Sequence, residues 1–316
     1  MERISVVVPV YRNADSLREL HRRLVETLGA SGVKEWEIVF VDDASPDSSF
    51  EILQAIGELD RSVKILRLSR NFGSNAALLA GMTHATGSAV CLVAADLQDP
   101  PEVLRELLGK WRTGFQVVIA ARRRRDDPFF ARLPAVVFNR LFKRFVFSEF
   151  PEAGFDFALL DRVVVDALIA MPEKNSYLFG QIFWLGFKRA TVVYDRGRRE
   201  FGTSAWTFAR KVKYFIDAFT AFSYLPMRAA VAIGLLLATA GFIYATVVIY
   251  VRLTGGIPVQ GFSALMVALL VVSGVQLVIV GVVGEYLWRV LEEVRSRPRF
   301  VVAERVNFDS QEGISG

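Results

Sequence analysis

The segment Ala94-Ala95-Asp96-Leu97-Gln98-Asp99-Pro100-Pro101-Glu102 ends an apolar run, from Ser88 to Ala95, with carboxylate and amide oxygens. At the carboxyl edge of a parallel sheet, where ligands of open α/β folds bind, an Asp with a Gln two residues later suits a hard divalent cation. Mg²⁺ is typically held by one or two protein carboxylates together with substrate phosphates. The alternative is an Asp that caps a helix beginning at Pro100 and Pro101. The rest of the chain decides between a metal site and a helix cap.

Short β-branched runs alternate with longer amphipathic stretches over the first part of the chain. This βαβ alternation predicts a mostly parallel sheet in a Rossmann-like nucleotide-binding domain. The turn after the first run, Pro9-Val10-Tyr11-Arg12-Asn13, has no G-x-G-x-x-G pattern, which argues against a dinucleotide cofactor. The predicted strands are Ile4–Val10, Glu37–Val41, Val63–Leu68, Ala89–Ala95 and Gln116–Ala120.

A second carboxylate cluster, Val41-Asp42-Asp43-Ala44-Ser45-Pro46-Asp47, lies where the second predicted strand gives way to a helix. An ionised carboxylate only accepts hydrogen bonds, so it suits ribose hydroxyls or a base N–H. The alternative is that Asp43 or Ser45 caps the helix beginning near Pro46. Two such clusters at strand ends indicate a nucleotide bound together with a metal ion.

Two long apolar stretches, Ala229 to Val251 and Phe262 to Leu287, account for the positive mean hydropathy of +0.34. Each exceeds the roughly 20 apolar residues that cross a bilayer, and adjacent spans of this length disfavour buried core helices. The loop between them offers only Arg252 as a basic residue, so we expect both termini to be cytoplasmic. Basic residues flank the outer ends of the spans, namely Arg210, Lys211, Lys213 and Arg228 before the first and Arg289, Arg295, Arg297 and Arg299 after the second.

The composition indicates the cellular compartment and the kind of binding partner. The apolar stretch within Met1–Val10 is too short for a signal sequence, so we expect the catalytic part not to be exported. The only cysteine, Cys91, lies in an apolar strand and fits a reducing compartment. The net charge is +5, but the basic residues gather beside apolar helices and span ends. A membrane surface is therefore the expected partner, and nucleic acid is not.

Two further segments, Phe129 to Phe147 and Trp206 to Leu225, combine an aromatic stripe at helical spacing with basic residues in other directions. This pattern predicts amphipathic helices at the membrane surface. The alternative for both is an ordinary helix that packs on the core. Because the second segment runs directly into a span, the interfacial interpretation is stronger there.

Four motifs together resemble those of family 2 glycosyltransferases with the GT-A fold. The two spans and Gly202-Thr203-Ser204-Ala205-Trp206 resemble the polyprenyl-phosphate glycosyltransferases, bacterial relatives of dolichol-phosphate mannose synthase. The resemblance runs through about the whole chain to Val302. The motifs are Val8-Pro9-Val10-Tyr11-Arg12-Asn13, Val41-Asp42-Asp43-Ala44-Ser45, Asn71-Phe72-Gly73 and the 96–102 segment.

The resemblance implies roles for particular residues. Asp96 and Gln98 match the metal site for Mg²⁺ or Mn²⁺ that bridges the diphosphate. Family members often carry Asp-x-Asp here, and Ala94 replaces the first Asp, which leaves Asp96 as the principal ligand. Asp99 is interpreted either as a residue that supports the metal ligands from behind or as a helix cap, and the cap is preferred. Positions matching the nucleotide-sugar site are Pro9, Tyr11, Asp42, Asp43, Gly73 and Asp96.

The resemblance also implies an acceptor side. Arg122 stands where the family keeps an arginine after the fifth strand, within reach of a phosphate that its planar fork suits. Asp156 matches a family acid that acts as a general base, or that orients the sugar or the acceptor. Gly202, Ser204 and Trp206 match an acceptor loop that closes over the sugar, although Ser204 also suits a helix N-cap.

These features imply an inverting transfer of one sugar from a nucleotide diphosphate sugar, with UDP-glucose as a family-based guess, to undecaprenyl phosphate. The reaction is expected at the cytoplasmic face of a bacterial inner membrane, and the resemblance also implies a homo-oligomer. The alternatives are a processive polysaccharide synthase, whose Gln-x-x-Arg-Trp motif is not found, and a catalytically silent nucleotide-sugar-binding scaffold. The expected divisions are a GT-A domain over 1–205, a juxtamembrane helix over 206–226, two membrane helices over 227–288 and a cytoplasmic tail over 289–316.

Overall fold

The computed structural model describes residues 2–123, 155–171, 173, 177–195, 225–254 and 262–308. The chain divides into two units. The first consists of Met1–Ala218 with Pro298–Gly316, and the second is Phe219–Arg297. The predicted amphipathic segments Phe129 to Phe147 and Trp206 to Leu225 lie outside the described residues, except for the final leucine of the second.

The described residues of the first unit form one sheet of eight strands in the order β7-β5-β6-β4-β1-β2-β3-β8. The pairs β1·β2, β1·β4, β2·β3 and β5·β7 are parallel, whereas β6 and β8 run antiparallel to their neighbours. The predicted mostly parallel α/β sheet is therefore confirmed. The strands are β1 Arg3–Val10, β2 Glu35–Asp42, β3 Val63–Leu68, β4 Ala89–Leu92, β5 Val117–Arg122, β6 Phe157–Asp161, β7 Arg189–Tyr194 and β8 Val302–Val306.

The helices of this unit cover the sheet with apolar faces. In α1, Leu17, Leu20, Leu24 and Leu28 recur at helical spacing and are fully buried, which seats that helix on the strands. Gly81 lets α3 lie close to β1, because a Cβ added there would stand 2.3 Å from Cγ1 of Val7. The helices are α1 Leu17–Ala30, α2 Ser49–Leu59, α3 Ser74–His84, a 3₁₀ turn Pro101–Val103, α4 Leu104–Arg112, α5 Arg162–Ala170 and α6 Leu178–Trp184.

The central strands are buried along almost their whole length. From Ile4 to Val8 and from Ile38 to Val41 every apolar residue is fully buried, as expected for parallel strands covered on both faces. Cys91 on β4 is also fully buried, and burial raises the pKa of its thiol well above the ordinary value. It is a core residue, as the sequence indicates.

The second unit contains two long helices, α7 Leu225–Thr254 and α8 Phe262–Val294. Their segments Met227–Tyr244 and Val271–Val294 are long and apolar enough to cross a membrane. Large apolar side chains such as Leu235, Phe242 and Leu277 are mostly exposed on them. These helices coincide with the two apolar spans that the sequence predicts.

The chain after α8 returns to the first unit. β8 pairs antiparallel with β3, and the backbone N–H of Ser69 donates to the carbonyl of Val301 at 2.9 Å. The Asn307 side chain donates to the carbonyls of Gly57 at 2.7 Å and Val63 at 2.9 Å. The sequence predicts only a cytoplasmic tail over 289–316. The two segments that flank the long apolar helices thus belong to the same unit.

Candidate active site

The loops at the carboxyl edge of the sheet share an uncommon backbone conformation. Arg12, Ala44 and Leu97, which follow β1, β2 and β4, have φ values of 60°, 53° and 57°. Gly73, after β3, has a φ of 95°. A non-glycine residue in this left-handed region costs on the order of 1–3 kcal/mol, and such residues concentrate at functional sites. The strained loops mark this edge as the candidate site.

The segment around Asp96 is a turn anchored to neighbouring helices. β4 ends at Leu92, three residues earlier than the predicted Ala95. The Val93 N–H still donates to the Val7 carbonyl at 3.1 Å, and residues 94–95 then leave the ladder while remaining in or near the core. The Gln98 N–H donates to Asp96 Oδ1 at 3.2 Å, so both side chains belong to one short turn. Ser16 Oγ donates to the carbonyl of Ala95 at 2.6 Å and fixes the turn against the start of α1.

The donor set of this turn fits a hard cation. Asp96 offers carboxylate oxygens and Gln98 an amide oxygen, and both residues are half-buried. Within the described ranges, no group of three or more His, Cys, Asp or Glu residues is arranged to hold a metal. Mg²⁺ or Mn²⁺ held here would therefore complete its shell with oxygens from substrate phosphates, as Mg²⁺ commonly does.

The loops after β2 and β3 are joined through Asp43. Its two carboxylate oxygens accept the N–H groups of Phe72 at 2.7 Å and Gly73 at 2.8 Å, and the residue is 3% exposed. Burial raises its pKa above the ordinary value. The structure thus brings Asp43 and Gly73 together and gives Asp43 a role in shaping the loop.

Asp42 is fully buried beside Asp43. It accepts the N–H of Ser45 at 3.2 Å, and Arg67 Nε lies 3.7 Å from its carboxylate. Burial outweighs these contacts and raises the pKa of Asp42. The alternative in which Asp43 or Ser45 caps the next helix is wrong, because α2 begins at Ser49 with Ser48 in the N-cap position.

The loop after β1 carries Tyr11 to the same edge. The Arg12 N–H donates to Ser45 Oγ at 3.2 Å, and the Asn13 N–H donates to Ser49 Oγ at 3.0 Å. These bonds hold the β1 loop against the β2 loop. Pro9 and Tyr11 are half-buried there, next to the cluster that contains Asp42.

Arg122 is the last residue of β5 and lies among groups from three other segments. Its Nη2 donates to Asp156, which immediately precedes β6. Its Nε donates to the Tyr194 hydroxyl at 3.4 Å and lies 3.6 Å from Asp99 Oδ1. The Tyr194 hydroxyl in turn donates to Asp99. Arg122 is the centre of this network.

The charges around Arg122 keep it a cation. Burial acts to lower its pKa, but the nearby Asp156 and Asp99 carboxylates outweigh burial and raise it. Burial and Asp99 together raise the pKa of Tyr194, so its hydroxyl remains a donor. A permanent guanidinium next to a candidate metal turn is suited to phosphate groups.

Comparison with known proteins identifies the family to which the chain belongs. Residues 5–169 match the family model described as glycosyl transferase family 2. The chain belongs to glycosyl transferase family 2. The predicted family and the GT-A type of fold are thereby confirmed, and the protein is a glycosyltransferase.

Relatives match this glycosyltransferase over nearly its whole length, including the apolar helices. An uncharacterized glycosyltransferase of Bacillus subtilis, YkcC, is 37% identical over 97% of this chain and 95% of its own. The bactoprenol glucosyl transferase of Shigella phage SfII is 35% identical over 95% of this chain and 97% of its own. The mannosyltransferase PcManGT of Pyrobaculum calidifontis, solved with GDP-Man and Mn²⁺, is 18% identical over 90% of this chain and 87% of its own, with a TM-score of 0.44.

Asp99 is not the helix cap that the sequence suggests for this glycosyltransferase. The 3₁₀ turn after it begins at Pro101 with Pro100 in the N-cap position. Asp99 is 1% exposed and faces Tyr194 and Arg122, which are far away in the sequence. A partner contributed by another strand overrides the local capping preference.

Two residues of this edge have no motif that marks them. Tyr194 ends an ordinary β-branched strand and is recognised only by its register opposite Arg122. Phe155 is 2% exposed, and its ring centroid lies 4.9 Å from that of Phe179 and 5.8 Å from that of Phe183. This aromatic cluster fixes the chain next to Asp156. The predicted acceptor-loop residues Gly202, Ser204 and Trp206 lie outside the described residues.

Proposed function

We propose that this glycosyltransferase transfers one sugar from a nucleotide diphosphate sugar to polyprenyl phosphate. The observation that carries the proposal is the network that joins the Asp96–Gln98 turn to the Arg122 guanidinium through Asp99. It supplies oxygens for a diphosphate-bound cation and, beside them, a permanent positive charge for a second phosphate. Relatives named bactoprenol glucosyl transferase, which align across almost the whole chain, support a polyprenyl acceptor and make UDP-glucose the first donor to test.

In the proposed reaction an acceptor phosphate oxygen attacks the anomeric carbon as the bond from that carbon to the diphosphate oxygen breaks. The electron pair of the broken bond leaves with the nucleoside diphosphate, and the configuration is inverted. Asp96 and Gln98 would hold Mg²⁺ or Mn²⁺, which when bound stabilises the negative charge of the diphosphate. Arg122 binds and orients phosphate, and much of the rate comes from positioning.

Asp156 takes an orienting role in this proposal. A phosphate monoester, with a second pKa of about 6, is largely anionic at neutral pH and needs little deprotonation. The Asp156 side chain is 53% exposed and already pairs with Arg122, which suits a group that aligns the guanidinium and the acceptor. If Asp156→Asn left turnover at saturating donor and acceptor almost unchanged, Asp156 would have no role in the chemical step.

The donor side is proposed to hold the nucleotide between the β1 and β2 loops. Tyr11 offers a ring to the base and Asp42 an acceptor for a base N–H or a ribose hydroxyl. Asp43 and Gly73 shape the loop through their mutual hydrogen bond, and Pro9 fixes the exit of β1.

We also propose that α7 and α8 cross the membrane and that the catalytic unit stays on the cytoplasmic side. Both flanks of the two helices belong to the unit that contains the sheet, which supports an even number of crossings. Basic residues at the outer ends of both helices favour the cytoplasmic side. Amphipathic segments at 129–147 and 206–226 would bring the site to the headgroups.

A donor screen tests the function. Purified protein in detergent or lipid receives undecaprenyl phosphate, Mn²⁺ or Mg²⁺ and, one at a time, radiolabelled UDP-glucose, UDP-galactose, GDP-mannose or UDP-N-acetylglucosamine. We expect one donor to label the organic phase, with a loss of signal on chelation, and mass spectrometry to give one sugar per lipid. Products with several sugars would favour a processive synthase. Donor binding without transfer across the whole screen would favour a silent scaffold.

A further inference from the structure

Asp99 and Tyr194 form a buried hydrogen-bonded pair beside the Nε atom of Arg122. Neither residue contacts substrate in the proposed reaction. We propose that both are positioning residues that hold the Arg122 guanidinium at a fixed place relative to the metal-binding turn. The inference rests on the proposed function, because it assigns Arg122 to a substrate phosphate.

The chain connectivity makes this couple a link between two parts of the site. Asp99 follows Gln98 directly, so it moves with the turn that carries Asp96. Tyr194 ends β7 and lies opposite Arg122 in the parallel ladder of β5 and β7. The backbone N–H of Arg123 donates to the Tyr194 carbonyl at 2.9 Å, which extends that ladder by one residue. The pair therefore connects the turn of Asp96 and Gln98 with the ends of β5 and β7.

The Tyr194 hydroxyl bridges the Asp99 carboxylate and the Arg122 guanidinium. It donates to Asp99 and accepts from Arg122 Nε, so one hydroxyl uses both of its capacities. With Asp99 1% exposed and Arg122 and Tyr194 each 6% exposed, the bonds are shielded from competing water. The Nε edge of the guanidinium is thereby fixed in direction.

The two carboxylates that contact Arg122 differ in accessibility. Asp99 is enclosed, whereas more than half of the Asp156 side chain is exposed. In the proposal a phosphate approaches the Nη2 side, where the exposed Asp156 is bound, because Asp99 and Tyr194 enclose the Nε side. The enclosed carboxylate holds the guanidinium, and the exposed one occupies the side that faces substrate.

Tyr194→Phe tests the inference, since it keeps the ring and removes only the hydroxyl. We expect kcat to fall about tenfold, KM for one phosphate-bearing substrate to rise about tenfold, or both. This is the effect of losing a hydrogen bond to a charged group. Asp99→Asn should lose at least as much, and the double variant should lose little more than Asp99→Asn alone, because the two residues act through one contact. Ser5→Ala, which removes a buried 2.6 Å hydrogen bond to Glu37, is the matched control and should lower the unfolding temperature without changing kcat.

Binding measurements separate this inference from the proposed function. Calorimetric titration with farnesyl phosphate and, separately, with UDP and Mn²⁺ needs no turnover. A roughly tenfold weaker affinity of Tyr194→Phe for farnesyl phosphate assigns Arg122 to the acceptor, and a loss for UDP alone assigns it to the donor; either supports the inference. Unchanged kcat, KM and both affinities in Tyr194→Phe would overturn it. A wild-type protein that transfers no sugar would overturn the proposed function, while the affinity ratios would still decide whether Tyr194 positions Arg122.

Discussion

The pKa values of buried carboxyl groups shift in opposite directions at the two edges of the same sheet. At the amino edge, Glu37 is 1% exposed and accepts hydrogen bonds from Ser5 Oγ and the Thr86 N–H, both at 2.6 Å. Lys64 Nζ lies 3.0 Å and Arg3 Nη2 3.3 Å from its carboxylate. Burial alone would raise the pKa of Glu37, but Ser5, the Thr86 N–H and Lys64 together lower it.

At the carboxyl edge the balance is reversed. Asp42 and Asp43 are equally buried, yet burial exceeds their hydrogen bonds and raises both pKa values. Three non-glycine residues of the loops there are left-handed, whereas among the described residues of the amino edge Asn307, with a φ of 63°, is the one such residue. At the amino edge, donors of the chain itself stabilise the charge of Glu37. At the carboxyl edge the donors do not fully offset burial.

The largest effect is expected at Asp96, on the carboxyl edge. Asp96→Ala should lower sugar transfer by about 1000-fold or more, because a catalytic cation contributes several kcal/mol and each 1.36 kcal/mol is a factor of ten. Transfer is followed as radiolabel in the organic phase. The unfolding temperature should change little, and Asp166→Ala, which removes an exposed carboxylate on α5, should retain activity. Metal-dependent transfer that survives in Asp96→Ala would show that Asp96 is not the principal ligand.

The opposite outcome is expected at the amino edge. Glu37→Gln removes a carboxylate that pairs with Lys64, whose side chain is only 9% exposed, and should destabilise the fold by about 3 kcal/mol, as for a broken buried ion pair. Thermal unfolding in detergent measures the loss. Turnover per folded molecule at low temperature should equal that of the wild type. A fall in turnover without a fall in stability would contradict the division between the two edges.

Acid should erase the difference between wild type and Glu37→Gln. The folded pKa of Glu37 lies below its ordinary value of 4.5, so the stability it contributes is fully present above that pH. This stability is lost as pH falls through the folded pKa. Asp42 and Asp43 act in the other direction, because protonating a carboxyl of raised pKa relieves its desolvation. The unfolding temperatures of the two proteins, measured from pH 7 downwards, should stay a constant distance apart and converge only below about pH 4.5. Convergence already near pH 6 would be inconsistent with a lowered pKa.

The smallest effect is expected from relieving strain at Ala44. Ala44→Gly should stabilise the fold by up to about 1 kcal/mol, since glycine removes the left-handed penalty at the expense of some chain entropy. Ala55→Gly, within helix α2, is the control and should destabilise by about 1 kcal/mol. Chemical denaturation compares the two variants. Equal losses in both would mean that the conformation at Ala44 carries no strain.

The sequence predicts what local patterns determine. Val63–Leu68 is predicted to the residue, and the sharing of one turn by Asp96 and Gln98 follows from their spacing. The extent of β4 is wrong because buried residues need not pair in a ladder. The helix-cap interpretation of Asp99 is wrong because its hydrogen-bond partner, Tyr194, lies 95 residues further along the chain.

The C-terminal strand is missed for a related reason. Its residues, Val302–Val306, are mostly exposed and have little apolar alternation, so what places the strand is the open edge of β3 and the side-chain contacts of Asn307. Long-range pairing of this kind leaves no local pattern. The motif order, by contrast, is local and sufficient to identify the family.

The return of β8 to the sheet also sets the order in which the protein can be completed. β8 follows α8 in the chain, so the β3 edge stays open until both long apolar helices have left the ribosome. An unpaired strand edge is a template for association with other chains. The catalytic sheet is thus finished only after the apolar segment has been synthesised, which links the maturation of the enzyme to the handling of that segment by the cell.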